Sequence, residues 1–479
     1  MELNKNDETF CLDSFPKNAT KIVQPVTGHF PEIVFPRERL SSGMENQQGG
    51  RLIPVTESLM KRVINTYMER GLLEGLIVAR QSGTPLVATV AGKLLSFGYW
   101  LRACWTMDPS ETTMNLYAKH SQTCNWSQSV IRALAWHPHY FKLAVATVND
   151  TVCIYARDSS VTPILKSDLQ KSITCLAWRP NAAGELAVGS QNGVLIWNID
   201  PASQLSRPLV PPTVVRTFGI NHRFVSAISW SKNGDLLVTA SVSNSCVFVW
   251  DVELQQYEVL HHINKPCAMV SFGPSGDQLL VTTVAHLFFI GSIKPRYKPA
   301  VWKLKSGSVQ SFAWSKREDH LLYVTTDDQE LFHIQLGSKS SNIGCSLVDL
   351  KRSKTDDGLV VGGYPQSIVW CPLDHVVAVA FKDTPVIAVF ITKVEPGKFS
   401  IHPYCFIAGI VMSNPCCILF QESYSKKPGE APQSVLTVGW SSGSITYYLF
   451  KEHCAECNVF FCEFSKSLLI PISFCISFL

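Results

Sequence analysis

Gly439-Trp440-Ser441-Ser442-Gly443 has the spacing of a nucleophile elbow, in which a strand-to-helix turn lifts a serine above a sheet for acyl transfer. Its surroundings argue against that chemistry. Ser444–Phe450 continues as S-I-T-Y-Y-L-F, a strand-forming run, and the only histidine downstream is His453, so the five residues read as a hairpin turn. Cys454-x-x-Cys457 followed by Cys462 has half the spacing of a zinc site. Zinc needs four thiolate or imidazole ligands, and neither a second CxxC nor a close His pair follows, so a chance cluster is the simpler reading. His137/His139 and His261/His262 read as turn and surface residues rather than ligands. The densest positive run is Lys294, Arg296, Lys298, Lys303 and Lys305. Only Tyr297 and Trp302 interleave it with stacking surface, so it reads as a solvated loop and edge strand, and direct nucleic-acid binding is not expected. Glycine-rich phosphate loops, paired catalytic carboxylates and a metalloprotease helix are absent from the sequence. The expectation is a non-enzymatic chain with no catalytic, cofactor-binding or metal residues, no cofactor and no small-molecule substrate.

The elements that carry these residues are read from composition and spacing. The chain has 479 residues, 46% hydrophobic and 17% charged, which excludes a mostly disordered protein. A net charge of +4 excludes a polyanion binder of the histone kind. Twelve Trp, 28 Gly and 27 Pro point to many turns and many packed aromatic anchors. Met1–Phe10 is polar and acidic and lacks the basic start and apolar core of a secretory signal. The 16 cysteines, most of them single within apolar runs, are therefore expected to be reduced and buried in a cytosolic or nuclear setting. On that reading the sequons at Asn18, Asn125 and Asn149 carry no meaning.

The strongest signal is an internal repeat. Ile131–Pro138 (I-R-A-L-A-W-H-P), Ile173–Pro180 (I-T-C-L-A-W-R-P), Val225–Ser231, Cys267–Pro274, Val309–Ser315 and Pro365–Pro372 share an alternating strand that ends in an aromatic residue, and Pro415–Phe420 is a weaker seventh copy. The anchors are Trp136, Trp178, Trp230, Phe272, Trp314, Trp370 and Phe420, separated by 42, 52, 42, 42, 56 and 50 residues. That is blade spacing, and the period of two within each copy excludes paired-helix solenoids. Second strands such as Leu236–Ser241 and third strands such as Cys246–Trp250 follow, with turn residues between them at Asn149-Asp150, Asn192-Gly193, Gly234-Asp235 and Gly276-Asp277. Seven copies predict an all-β, seven-bladed WD-repeat-type β-propeller with an N-terminal helical element.

The expected organisation is an extended, partly disordered segment over 1–50, the helical element over 51–124, the propeller over 125–450 and an atypical Cys-rich apolar tail over 451–479. Helices are predicted over Glu57–Glu69, Pro85–Trp105 and Ser110–His120. Leu86–Trp105 has the length of a membrane span, but Lys93 and Arg102 would each cost roughly 2.5–3.5 kcal/mol at mid-span, so it reads as a helix packed on the propeller or a partner. Leu468–Leu479 is too short to cross a ~30 Å core. Pro201–His222 and Leu336–Gly363 are blade insertions, the second read as a mobile surface loop. Leu59, Val63, Tyr67, Leu94, Trp100 and Trp105 are candidate partner-docking residues.

Over Asn125–Ser206 the string N-W-S-Q-S-V-I-R-A-L-A-W-H-P-H-Y-F-K, with S-I-T-C-L-A-W-R-P and V-L-I-W-N-I-D-P, resembles the aladin family of WD-repeat nucleoporins, and the similarity runs from about Val55 to Ser444. The Trp-Asp signature is plain only at Trp250-Asp251, with Trp197-Asn198 a near match, and the tail after Leu449 departs from the family's polar, Pro-rich extension. The resemblance implies a scaffold or adaptor of the nuclear pore complex, peripheral to the nuclear envelope. It would be held there by a transmembrane nucleoporin beside other pore components. It further implies a part in nucleocytoplasmic transport, specifically selective protein import, and in mitotic spindle organisation, with cytoplasm and spindle pole as further locations. The alternative is a generic WD-repeat adaptor subunit of a ubiquitin-ligase or trafficking complex. A propeller enzyme would need acidic or histidine residues converging at the channel, which the repeat does not supply.

Overall fold

A computed structural model of the chain describes residues 10–12, 23–26, 29–35, positions 76, 79, 87, 89, 90 and 92–94, and residues 110–451 apart from 122, 128, 158, 160, 200–211, 216–221, 261–264, 293–298, 337–343, 356–357, 396–397, 410–412 and 422–432. The chain divides into two compact units, Met1–Phe35 with His120–Leu479, and Pro36–Lys119.

The first unit is a seven-bladed β-propeller. Blade 1 is an antiparallel meander of Ile131–Trp136, Lys142–Thr147, Val152–Ala156 and Ile164–Leu165. The inner strands of blades 2 to 7 are Cys175–Trp178, Val225–Trp230, Cys267–Phe272, Val309–Trp314, Pro365–Trp370 and Pro415–Gln421. The inner strand of blade 7 lies beside that of blade 1 and closes the ring. Second strands such as Leu143–Val145 and Val376–Phe381 are buried on both faces, which is why they read as unbroken apolar runs. Clusters of Val, Leu, Ile and Phe fill each seam, for example Trp178, Leu186 and Trp197 against Ala144, Ile154 and Leu165.

Six inner strands carry a β-bulge after their first residue, at Arg132, Ser226, Ala268, Gln310, Gln366 and Cys416. Thr174 holds the matching place in blade 2. Counted from the residue before the bulge, every aromatic anchor is the sixth, so the bulge gives the extra twist that lets inner strands splay around an axis.

Two elements of the propeller come from outside the repeat. Ile33–Val34 pairs antiparallel with Ser444–Ile445 as the outermost strand of blade 7, and Phe10–Cys11 adds in parallel to Val348–Asp349 of blade 5. The segment expected only to be extended thus supplies outer strands. Residues Leu336–Gly363, read from sequence as a mobile loop, contain Cys345–Asp349, the fourth strand of blade 5, and a hairpin of Ser353–Lys354 with Val360–Val361. The loop reading is corrected: outer strands are short and half wet, so their sequence is polar and carries little periodicity.

In the second unit Ser110–Lys119 is a helix, with Glu111 in its first turn and Lys119 in its last, each matching the helix dipole. Positions 87, 89, 90 and 92–94 are helical too. The helix predicted over Glu57–Glu69 and the tail after Lys451 lie outside the described residues. No described helix is long and apolar enough to cross a membrane.

Candidate functional site

The channel mouth is formed by the bulged ends of the inner strands, where a β-branched or small polar side chain reaches its neighbour's backbone. Thr174 Oγ1 donates to Val225 C=O (2.7 Å) and Ser226 Oγ to Ala268 C=O (2.5 Å). Ser311 Oγ accepts from Ile368 N–H at 3.1 Å. Residues 121, 123–127 and 129 lie against this end as a plug. Cys124 N–H donates to Cys416 C=O (2.9 Å), Trp126 Nε1–H to Ile173 C=O (2.9 Å) and Gln366 Nε2 to Ser121 C=O (3.2 Å), while the Arg132 guanidinium stacks on Trp126 at 4.1 Å. The plug therefore ties blades 1, 2, 6 and 7. A small cavity at this end is lined by Thr123, Ala133, Thr174, Cys175, Ser367 and Cys417.

The cysteines here hold their protons. Burial, reinforced by Cys416, pushes the Cys124 thiol up to about 12, burial pushes Cys175 up to about 12, and burial raises Cys417 as well. A thiol kept neutral is neither nucleophile nor metal ligand. Among the described residues no three His, Cys, Asp or Glu converge for a metal ion.

A second arrangement has nucleophile-like geometry. Cys371 Sγ lies 3.3 Å from His375 Nδ1, 2.9 Å from Ser434 Oγ, and accepts Leu373 N–H at 3.2 Å. Cys371 is 1% exposed and burial raises its pKa, so the thiol does not meet a substrate, and its contact with Ser434 joins blade 6 to blade 7. Gly439–Gly443 is a strand–turn–strand hairpin, in which Ser441 Oγ accepts Asn414 N–H (3.1 Å) and Gly443 takes φ +88°.

Of the anchors, Trp136, Trp178, Trp230, Phe272 and Trp370 are buried, and Trp314 and Phe420 half-buried. Their indoles stitch seams: Trp136 Nε1–H donates to Thr437 Oγ1 of blade 7 (2.8 Å), Trp178 to Ala135 C=O of blade 1 (3.1 Å) and Trp230 to Ala177 C=O of blade 2 (3.2 Å). Leu94 is exposed on the helical segment of the second unit. Leu59, Val63, Tyr67, Trp100 and Trp105 lie outside the described residues, as do His261/His262 and the Cys454, Cys457, Cys462 group.

His137 departs from its surface reading. It is fully buried, and its Nδ1 accepts from His139 N–H (3.0 Å) and Tyr140 N–H (3.2 Å). Nε2 therefore carries the proton and donates to Ala182 C=O of blade 2 at 3.0 Å. Desolvation lowers its pKa to about 4.

Two devices escaped sequence reasoning. Arg179 donates from Nε to Gly234 C=O (2.7 Å) and from its two terminal nitrogens to Glu185 (2.8 Å) and Glu253 (2.7 Å), while lying 5.5 Å from the Trp230 ring. In blade 3, Trp250 Nε1–H donates to Thr239 Oγ1 (2.9 Å), which sits 2.9 Å from His222 Nε2. The signal that could have found the second is His222 just ahead of a strand pair ending in Trp250-Asp251, where Asp251 caps the turn by accepting Leu254 N–H at 2.9 Å.

The fold and site have relatives. A family described as the Aladin seven-bladed propeller matches residues 112–451. Aladin of Arabidopsis thaliana is 24% identical over 355 residues, 68% of this chain and 78% of its own length. A shorter likeness, 28% over 137 residues and 26% of each chain, is to the chromatin assembly factor 1 subunit FAS2 homolog of Oryza sativa subsp. japonica. A chain in the crystal structure of the mitotic checkpoint complex superposes with TM-score 0.51 at 16% identity, covering 69% of this chain and 90% of that one, a likeness of fold alone.

Proposed function

Because the chain belongs to the aladin family of seven-bladed propellers, we propose that it is a scaffold of the nuclear pore complex that works by binding protein partners rather than by catalysis. The observation that carries this reading is the family match across the whole ring of blades, residues 112–451. The residues that could have supported chemistry fit the same reading. The channel thiols and Cys371 are buried and proton-bearing, and Cys371 joins blade 6 to Ser434 of blade 7. A propeller buries its sheet faces in its seams, so its two rims and the attached helical unit are the surfaces left for partners.

The finer proposal places the chain at the nuclear envelope, peripheral to the membrane and held through a transmembrane nucleoporin. There it supports selective protein import, with a second role at the spindle in mitosis. Leu59, Val63, Tyr67, Leu94, Trp100 and Trp105 are the proposed docking residues. Affinity purification of the tagged full chain, followed by mass spectrometry, tests the reading. Nucleoporins, with rim staining of the envelope, are the expected result. Cullin or coat subunits in their place would overturn it in favour of a ubiquitin-ligase or trafficking adaptor.

A further inference from the structure

We infer that the helical positions 87, 89, 90 and 92–94 dock directly on an anionic lipid surface. Val87, Val90 and Leu94 are 42%, 59% and 50% exposed on this helical segment. The spacing i, i+3, i+7 sets them on one face, and Lys93 is exposed at its flank. In sequence the same spacing continues to Phe97 and Leu101.

Charge selects the occupant. From Gly75 to Met107 the chain carries Arg80, Lys93 and Arg102 and no Asp or Glu at all, although the whole protein is nearly balanced at 42 basic and 38 acidic residues. The same stretch contains Phe97, Tyr99, Trp100 and Trp105, the aromatic types that favour the headgroup layer. A stable protein interface covers roughly 800 Å² on each partner, more than the two valines and one leucine exposed among the described residues supply by themselves. A bilayer asks less: one apolar helix face sunk about 5–10 Å, and cations against acidic headgroups. Lys93, exposed beside the stripe, suits a helix lying in the interface, where a long basic side chain reaches the headgroups.

This contact goes beyond the pore assignment, and a test with purified protein and synthetic vesicles needs no pore component. The full chain is floated with vesicles of phosphatidylcholine alone, or of phosphatidylcholine mixed with phosphatidylserine, at low salt and at about 0.15 M salt. Recovery is expected to be roughly tenfold greater with phosphatidylserine and to fall with salt. V90D/L94D should abolish flotation. The milder V90S/L94S should weaken it in step, and Lys93→Gln should lower only the phosphatidylserine-dependent part. Unchanged thermal melts of these surface variants show that folding is intact. Equal recovery on the two vesicle types, or V90D/L94D floating like the parent, overturns the inference. So does a protein that ignores vesicles while V90D/L94D loses co-purifying proteins, which would assign the stripe to a protein partner.

Discussion

His137, His222 and His333 sit neutral in the fold because burial strips water from the charged form. Their pKa values drop to about 4, about 3 and about 4 respectively, against an ordinary 6.5. His333 also feels His320, whose Nδ1 is 2.8 Å from its Nε2. The sign follows directly: the unfolded chain takes up protons before the folded one, so stability is full above pH 6.5 and lost as pH falls from there toward 4. Each histidine contributes at most about 1.4 kcal/mol per pH unit within that window. The urea midpoint should stay level above pH 7 and drop steeply below pH 6.5, and His222→Gln should flatten the drop. A midpoint indifferent to pH in that range would contradict this. Arg179 is the other residue on which much rests. Arg179→Ala should cost about 1–3 kcal/mol in urea unfolding, and Arg179→Lys should recover less than half, since a single ammonium cannot reach Gly234 and both carboxylates together. The W-R-P string made Arg179 visible in the repeat, but its partners Gly234 and Glu253 lie a blade away. Nothing local in the sequence joins them.

Among the elements, the strap of residues 23–26 and 29–35 is decisive. Val26 N–H donates to Tyr447 C=O (2.7 Å) and Phe35 N–H to Gly443 C=O (2.9 Å). Phe30 packs edge-on to Trp136 at 4.9 Å and near Tyr447 at 5.8 Å. Ile33 is 2% exposed in the cluster that joins blades 7 and 1. The strand thus fastens the last blade and leans on the first. Ile33→Ala should cost about 2–5 kcal/mol. Ile33→Pro, which also disturbs the pairing with Ile445, should speed hydrogen exchange in Gln433–Trp440 and Ser444–Lys451 before other blades respond. Exchange rising evenly around the ring would refute a local fastening. Gly443 must keep its φ of +88°, and a Cβ there would strike Phe35 C=O, so Gly443→Ala should loosen the same strand. A two-residue strand shows no periodicity, which is why sequence reading left residues 1–50 merely extended.

At the scale of the whole molecule, the ring links every blade to two others through indole, arginine and hydroxyl bonds across the seams. An open repeat array unfolds piecewise from its ends, but a closed ring has none. Urea unfolding followed by tryptophan fluorescence and by far-ultraviolet circular dichroism should therefore coincide in the parent protein, and separate in Ile33→Pro, whose ring is unfastened. Separation already in the parent would mean that the seams do not couple the blades.

The repeat of aromatic-ended strands, and with it the blade count and fold class, was determined by the sequence alone. A strand buried on both faces must be apolar along its length, and a turn must carry residues that tolerate it. The anchors Trp136 to Phe420 could be counted for that reason. The tertiary structure decided the rest: the bulge in six of the inner strands, the plug at the channel mouth, the strap Ile33–Val34 on blade 7, and the proton-bearing state of Cys124 and Cys371. All of these depend on groups far apart in the chain brought together once water is excluded. Short-range spacing records a residue's own burial, and it carries no trace of which distant backbone will meet it.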